Sequence, residues 1–291
     1  MAKFDYKLAE TLDDAVQLLN EPGVRSIPLA GGTDIFVAIR VTPPWFDRLV
    51  DIQRIQELTE VNQIGDQIHI GAAVTFTNGI ESPILQKATP FLVDACKSIG
   101  GPAIQNLGTF GGNVSNAAAC ADTVPALVCL DAVAHLKSTA GERQIPVEDL
   151  LTGPHKTQIK PGELLTKFTF QVPPEGAKTT FIKVGRRKVQ SISRLSIAVI
   201  GKVDQDQKIE YVRICPGAAI AKPVRFRDVE AMLIGKRPEK NLFSEIGKKL
   251  VAETIKSTGR RWSTEYKEVT LAAIAERALT RIFLEDKNHG H

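Results

Sequence analysis

Two glycine-rich turns, about eighty residues apart, are the positions in this chain best suited to chemistry. The first runs Pro28, Leu29, Ala30, Gly31, Gly32, Thr33, Asp34, Ile35. The second runs from Gln105 to Asn116 and contains Thr109, Gly111, Gly112, Asn113 and Ser115. Each sets a Gly-Gly pair beside a threonine hydroxyl and a small polar side chain. A missing Cβ lets a phosphate come close to the backbone, and a strand–turn–helix geometry aims backbone N–H groups at an anion. Neither turn is a P-loop, which needs Lys-Ser or Lys-Thr after its last glycine, and neither has the Gly-x-Gly-x-x-Gly dinucleotide spacing. Two separate turns fit a ligand long enough to be gripped twice, such as a diphosphate joining two ring systems. Each turn alone fits a structural reading equally well: a tight connection in which Thr33 or Asp34 caps the following helix. Beyond the second turn, the run from Ala117 to Ala121 has tiny side chains against which something flat can lie. Asp122 closes it, placed to cap the next helix or to accept from a ligand.

Composition narrows the partners. The 291 residues carry a net charge of +4, and Lys and Arg are spread out apart from Arg186-Arg187-Lys188 and Arg260-Arg261. That argues against nucleic-acid binding, as do only three Tyr and two Trp, too few for a base-stacking platform. No stretch approaches the roughly 18 apolar residues of a membrane span, and Met1-Ala-Lys-Phe lacks a signal-like apolar region, so no membrane contact and a cytoplasmic location are expected. Cys96, Cys120, Cys129 and Cys215 form no C-x-x-C pair, and the five histidines show no ligand spacing. Four reduced thiols and no metal site are expected.

The elements that must position the turns are legible from periodicity and punctuation. Thr11 caps a helix whose Ala15, Val16, Leu18 and Leu19 share a face, ended by Gly23. Arg25 to Ala30 is a strand entering the first turn, and Asp34 to Arg40 a helix leaving it. A strand at Leu49–Ile52, a hairpin around Gln63–Gly71 and one helix from Pro83 to Cys96 precede the second turn. A helix from Asp122 to Leu130 follows, with Pro125 tolerable in its first turn. Strands at Ala132–Lys137, Arg143–Pro146 and Glu163–Val172 and a short helix at Val147–Leu151 come next. A boundary falls at Pro173-Pro174. Three strands then precede three helices, the order of a separate α+β domain. The terminal Asn288-His-Gly-His is expected to fray.

Leu29-Ala-Gly-Gly-Thr-Asp34, Gln105-Asn-Leu-Gly-Thr-Phe-Gly-Gly-Asn-Val-Ser-Asn116 and Asp122 with Pro125-Ala126-Leu127 resemble the FAD-binding middle subunit of the molybdenum hydroxylases. That family includes xanthine dehydrogenase, carbon monoxide dehydrogenase and related heteroaromatic hydroxylases. Lys183-Val-Gly-Arg-Arg187 followed by Ser191-Ile-Ser-Arg194 resembles its later basic segment. The resemblance implies an α+β protein. Residues 1–175 would form a two-part FAD-binding domain of the vanillyl-alcohol-oxidase (PCMH) type. Residues 176–291 would form a small C-terminal domain with a three-stranded antiparallel sheet and a helical bundle.

The resemblance also implies site residues. Pro28 to Ile35 would wrap the FAD diphosphate. Thr109, Gly111, Gly112, Asn113 and Asn116 would contact the diphosphate and ribityl chain. Asp122 would touch the adenosine half, Ile99 and Leu165 would lie against the cofactor, and Lys183 would sit near the flavin ring as a cation stabilising its reduced form. No catalytic acid or base is implied. The FAD would be noncovalent. Molybdopterin and two [2Fe–2S] clusters would belong to a large and a small partner subunit. Electrons would pass through this chain, most often to NAD, in a dimer of heterotrimers. Ser191 stands where many members carry an acid, which leaves the electron acceptor open. Two other readings are a stand-alone flavin reductase or oxidase of the same FAD fold, such as the enolpyruvyl-UDP-sugar reductase, and a flavin-free interaction scaffold.

Overall fold

The computed structural model describes residues 4–187, 189–260 and 263–285. Met1 to Lys3, Lys188, Arg261 and the terminal Asn288–His291, which carried expectations above, lie outside them. The chain divides into two compact units that interleave in sequence. One comprises Met1–Gln86, Gly100–Ala118 and Asp131–Val172; the other comprises Lys87–Ile99, Ala119–Leu130 and Pro173–His291.

Besides the short pair Leu151–Gly153 and Lys156–Thr157, the first unit holds two sheets. In the smaller, Arg48–Asp51 runs parallel between Asp5–Leu8 and Ser26–Leu29. All four residues of that central strand are buried. Its alternation sends Leu49 into a cluster with Leu29 and Phe46, and Val50 into one with Ala15, Val16 and Leu58. The edge position of Ser26–Leu29 accommodates Pro28, which has no N–H for a ladder. The larger sheet is antiparallel, in the order Val61–Ile64, Gln67–Gly71, Leu164–Gln171, Val133–Ser138, Gly141–Pro146.

Near its edge, Arg143 Nε and Nη2 donate to Glu163 Oε1 and Oε2 at 2.6 and 2.8 Å. That fork holds the Glu163 carboxyl below the usual carboxylate range. A depressed folded-state value stabilises the fold above the unfolded glutamate pKa and loses that contribution as pH falls through the folded one. Glu163→Gln is therefore expected to lower stability by about 1 kcal/mol near neutrality. Its urea midpoint should converge with the parent's as the solution is acidified below the glutamate range.

The second unit is built on the antiparallel sheet Lys178–Gly185, Ser193–Val203, Ile209–Gly217. Leu195, Ile197, Val199, Val212 and Ile214 pack with Phe243, Ile246 and Leu250 of the helix Lys240–Thr258. Leu271, Ile274, Ala275, Ala278 and Ile282 of the helix Thr264–Phe283 join the same core. The i, i+3, i+4 spacing of these residues makes both helices one-sided. A three-stranded antiparallel sheet with a helical bundle is thus the architecture the resemblance implied.

Several local expectations change. The N-terminal helix is Leu12–Leu19, capped by Thr11 as read. It ends before Gly23, because Asn20 closes it by donating to the Val16 and Gly162 carbonyls at 2.7 and 2.9 Å. The single helix expected from Pro83 to Cys96 is two, Pro83–Ala88 and Pro90–Lys97. Pro90 has no N–H to continue a helix and biases Thr89 away from helical angles, so the chain restarts there with Pro90 in the first turn. Asp5–Leu8 and the helix Phe76–Glu81 carry no strong periodic signal and were not anticipated.

Candidate functional site

The surroundings of the first turn show why two glycines are there. An ideal Cβ on Gly31 would stand 1.7 Å from the carbonyl oxygen of Leu107, in the second glycine segment. Gly31 is therefore fixed by the close approach of two backbones. Gly32 has φ +68, a left-handed conformation that side chains resist, and a Cβ there would press on the Phe36 ring. Leu29 is buried and anchors the turn, while Pro28 is exposed. Ala30, Thr33 and Ile35 are half-buried, and Asp34 is exposed.

Asp34 occupies the N-cap position of the helix Ile35–Val41, but its side chain makes no capping bond. The capping reading of Asp34 thus falls away; its αR angles do not direct the carboxylate back to the first-turn N–H groups. Among the described residues, the backbone N–H groups of Gly32, Thr33, Asp34 and Ile35 have no hydrogen-bond partner. Donors of this kind suit phosphate oxygens.

The second segment is organised differently. It is not a loop: Phe110–Asn116 is a helix whose first turn contains both glycines, capped by Thr109 Oγ1, which accepts from Gly112 N at 3.0 Å. Every first-turn N–H is spent. Phe110 donates to Val74 O, Gly111 to Ala72 O and Asn113 to Thr109 O, at 3.1, 2.8 and 2.9 Å. A Cβ on Gly111 would lie 2.6 Å from Ala72. Gly112 differs: it is exposed, and a Cβ there would meet only Thr109 Oγ1. This segment thus offers a bare surface at Gly112 and polar side chains, not unpaired N–H groups. Asn116 lies against His155, whose Nδ1 is 3.0 Å from Asn116 O and 3.3 Å from Oδ1. His155 had no sequence signal, because the contact spans 39 residues. Leu165 is buried beside a register shift in the strand Leu164–Gln171.

Ile99, Asp122 and Lys183 belong to the second unit. Asp122 precedes the helix Thr123–Cys129 but, like Asp34, forms no side-chain cap. Its carboxylate is drawn instead to Lys183 Nζ, 2.7 Å from Oδ2, and to the Ser193 hydroxyl, which donates to Oδ1 at 2.5 Å. Lys183 also donates to Ser98 O at 2.8 Å. Side-chain exposure is 13% for Lys183 and 6% for Asp122, so the pair is shielded from solvent. Burial holds the Asp122 carboxyl above the usual carboxylate range, opposed by Lys183 and the serine hydroxyls. Ile99 is half-buried just beyond the helix Pro90–Lys97. Opposite ends of an extended FAD were implied for Asp122 and Lys183, yet the two share one ion pair. Ser191 donates to Arg187 O at 3.1 Å.

Cys96, Cys129 and Cys215 are buried and Cys120 is partly so; all four are free thiols. Among the described residues no three His, Cys, Asp or Glu side chains gather as a metal site, and no helix is long and apolar enough to cross a membrane.

A glycine turn set against a glycine-containing helix in one unit, and a three-stranded sheet with a helical bundle in the other, define a class, and comparison with known proteins places it. Residues 2–173 match the family described as the FAD binding domain in molybdopterin dehydrogenase, and residues 180–282 match the CO dehydrogenase flavoprotein C-terminal domain. The chain is 34% identical to the xanthine dehydrogenase FAD-binding subunit of Escherichia coli O157:H7, over 77% of each chain. It is 30% identical to the glyceraldehyde dehydrogenase medium chain of Sulfolobus acidocaldarius, over 96% of this chain and 98% of that one. In structure it resembles a chain of the reconstituted CO dehydrogenase from Oligotropha carboxidovorans, with TM-score 0.89, 27% identity and coverage of 98% and 99%. The chain belongs to the FAD-binding medium subunits of the molybdenum hydroxylase family.

Proposed function

We propose that this chain is the electron-transfer subunit of a xanthine dehydrogenase-like complex. Substrate is hydroxylated at a molybdopterin centre on a large partner chain. Electrons cross two [2Fe–2S] clusters on a small partner chain to FAD held here, and leave to NAD. The complex is a dimer of heterotrimers in the cytoplasm. The observation that carries the reading is the row of unpartnered N–H groups at Gly32–Ile35, held open by the Gly31–Leu107 backbone approach.

In this reading Pro28–Ile35 cradle the diphosphate through backbone donors, and Gly112, with Thr109, Gly111, Asn113 and Asn116 around it, lets the cofactor lie close. Ile99 and Leu165 give apolar contact. Asp122 and Lys183 act together, one acceptor and one donor, toward one part of the cofactor. Bound FAD supplies the hydride and electron chemistry, and the protein supplies orientation and electrostatics. Identity with the Escherichia coli subunit supports the xanthine-like assignment.

The test is the visible spectrum of the purified chain after incubation with FAD and desalting, followed by anaerobic titration with NADH. A retained flavin band that bleaches with NADH is expected. A retained band that ignores NADH would remove NAD and keep FAD. No retained flavin, even with the partner chains co-expressed, would overturn the reading.

A further inference from the structure

Ser193 lies in the segment Ser191–Arg194 that carries part of the family resemblance, yet the resemblance gives it no role in the site, and its hydroxyl is engaged by the buried Asp122 carboxylate. It opens the strand Ser193–Val203, next to the strand that carries Lys183. Between Val184 and Gly185 the register of those strands shifts, which sets Ser193 opposite Gly185 while Lys183 stays opposite Ser196. Such an irregularity re-aims a side chain. Here the Ser193 hydroxyl is buried and reaches Asp122 Oδ1 across 71 residues of sequence.

The result is a set of contacts converging on one carboxylate. Asp122 Oδ1 accepts from Ser193 and Oδ2 from Lys183, whose ammonium also donates to Ser98 O. An ammonium has three N–H donors, and among the described residues two are spent. One N–H of the ammonium is left, and the carboxylate also meets the Ser98 side chain. The charges cancel, so a neighbouring ring meets a dipole and not a cation, and the field of a dipole falls off faster with distance than that of a single charge.

We propose that Ser193 is a positioning residue of the cofactor site: its hydroxyl fixes the Asp122 carboxylate, ionised, against Lys183, so that the site presents a neutral donor–acceptor pair to FAD. This rests on the reading that Asp122 and Lys183 face the cofactor. Without the hydroxyl, Asp122 loses a bond that favours its charged form, and it takes a proton at higher pH. Protonation leaves the Lys183 charge uncompensated, which favours negative charge on a bound ring. The groups facing the carboxylate are Lys183 and Ser193 from the sheet, and Ser98 and the buried Cys96 thiol from the helix Pro90–Lys97 and its end. Burial pushes Asp122 in the same direction.

The experiment uses the full chain and follows FAD affinity by flavin fluorescence and the FAD midpoint potential by dye-equilibrated reduction, from acidic to alkaline pH. Parent, Ser193→Ala and Ser193→Thr are compared, with urea unfolding of each apoprotein. Ser193→Ala is expected to move both pH profiles toward higher pH, to raise the potential at neutrality and to change FAD affinity about tenfold, the scale of one hydrogen bond to a charged group. Ser193→Thr should restore the parent profiles. If Ser193→Ala fails to fold, Ser193→Cys, a weak donor, is read in its place. Profiles of the Ala variant that superimpose on the parent's, while Asp122→Asn shifts them, would overturn the proposal alone. If Asp122→Asn and Lys183→Met both leave affinity and potential unchanged, the pair does not face FAD, and the underlying reading fails as well.

Discussion

Gly31→Ala is expected to abolish FAD retention, with affinity falling by roughly a hundredfold or more. The new Cβ would stand 1.7 Å from Leu107 O and 2.3 Å from its carbonyl carbon, and neither atom belongs to a side chain that can swing away. The backbones at Gly31 and Leu107 must part, and overpacking of this kind costs about 1–3 kcal/mol, or more where backbone has to move. Every 1.4 kcal/mol of that strain felt by the binding-competent loop is about tenfold in affinity. The apoprotein should lose stability in urea at the same time. Gly112→Ala is the contrasting variant. Its Cβ meets only the Thr109 hydroxyl, at 2.9 Å, and alanine is the better helix former by about 1 kcal/mol. Its urea midpoint should stay close to the parent's while FAD affinity falls. A stable Gly31→Ala protein that binds FAD normally would refute the steric argument. A Gly112→Ala protein with unchanged affinity would remove Gly112 from the cofactor surface.

Lys183→Met is expected to cost about 3–5 kcal/mol of stability near neutral pH, because it leaves the buried Asp122 carboxylate without its cation. The double variant Asp122→Asn, Lys183→Met should recover most of that loss, since removing both charges avoids the desolvation cost that either alone incurs. The pH dependence has a definite sign. Asp122 already has a folded-state value above its unfolded one, and losing Lys183 raises it further. A raised carboxyl gains relative stability as pH falls from the folded value toward the unfolded value near 3.8. The gap between Lys183→Met and the double variant should therefore narrow on acidification. A gap that does not change with pH would mean that Asp122 is not the group left uncompensated. The same variants report on function: if the pair faces FAD, both weaken FAD binding even where stability is restored.

Much of this was readable in one dimension, for reasons visible in particular residues. Thr11 and Asp14 announced a capped helix, and the Thr11 hydroxyl does accept from Asp14 N. The alternation around Gly65-Asp66 announced a hairpin, and Gly65 takes φ +60 between antiparallel strands. The division of the helix near residue 89 was also written in the sequence, since Pro90 is a breaker, but the apolar spacing of Leu85, Phe91, Leu92 and Ala95 masked it.

Residue types and spacing were enough to mark the two glycine segments, the order of strands and helices after Pro173 and the family resemblance, because turn chemistry and amphipathic periodicity act between neighbours along the chain. What each marked residue touches was decided elsewhere. Gly31 answers to a carbonyl 76 positions later, at Leu107. The unpaired N–H groups gather at the first segment and not the second, because Val74 and Ala72 carbonyls reach Phe110 and Gly111. Asp34 and Asp122 looked like caps and are not; Asp122 is drawn to Lys183 and Ser193, 61 and 71 residues away. Segments Lys87–Ile99 and Ala119–Leu130 join the unit built on residues after Pro173, which no local signal encodes. A buried charge takes the partner that folding places within hydrogen-bond distance, and that partner is set by how strands and helices pack, not by their spacing in the chain.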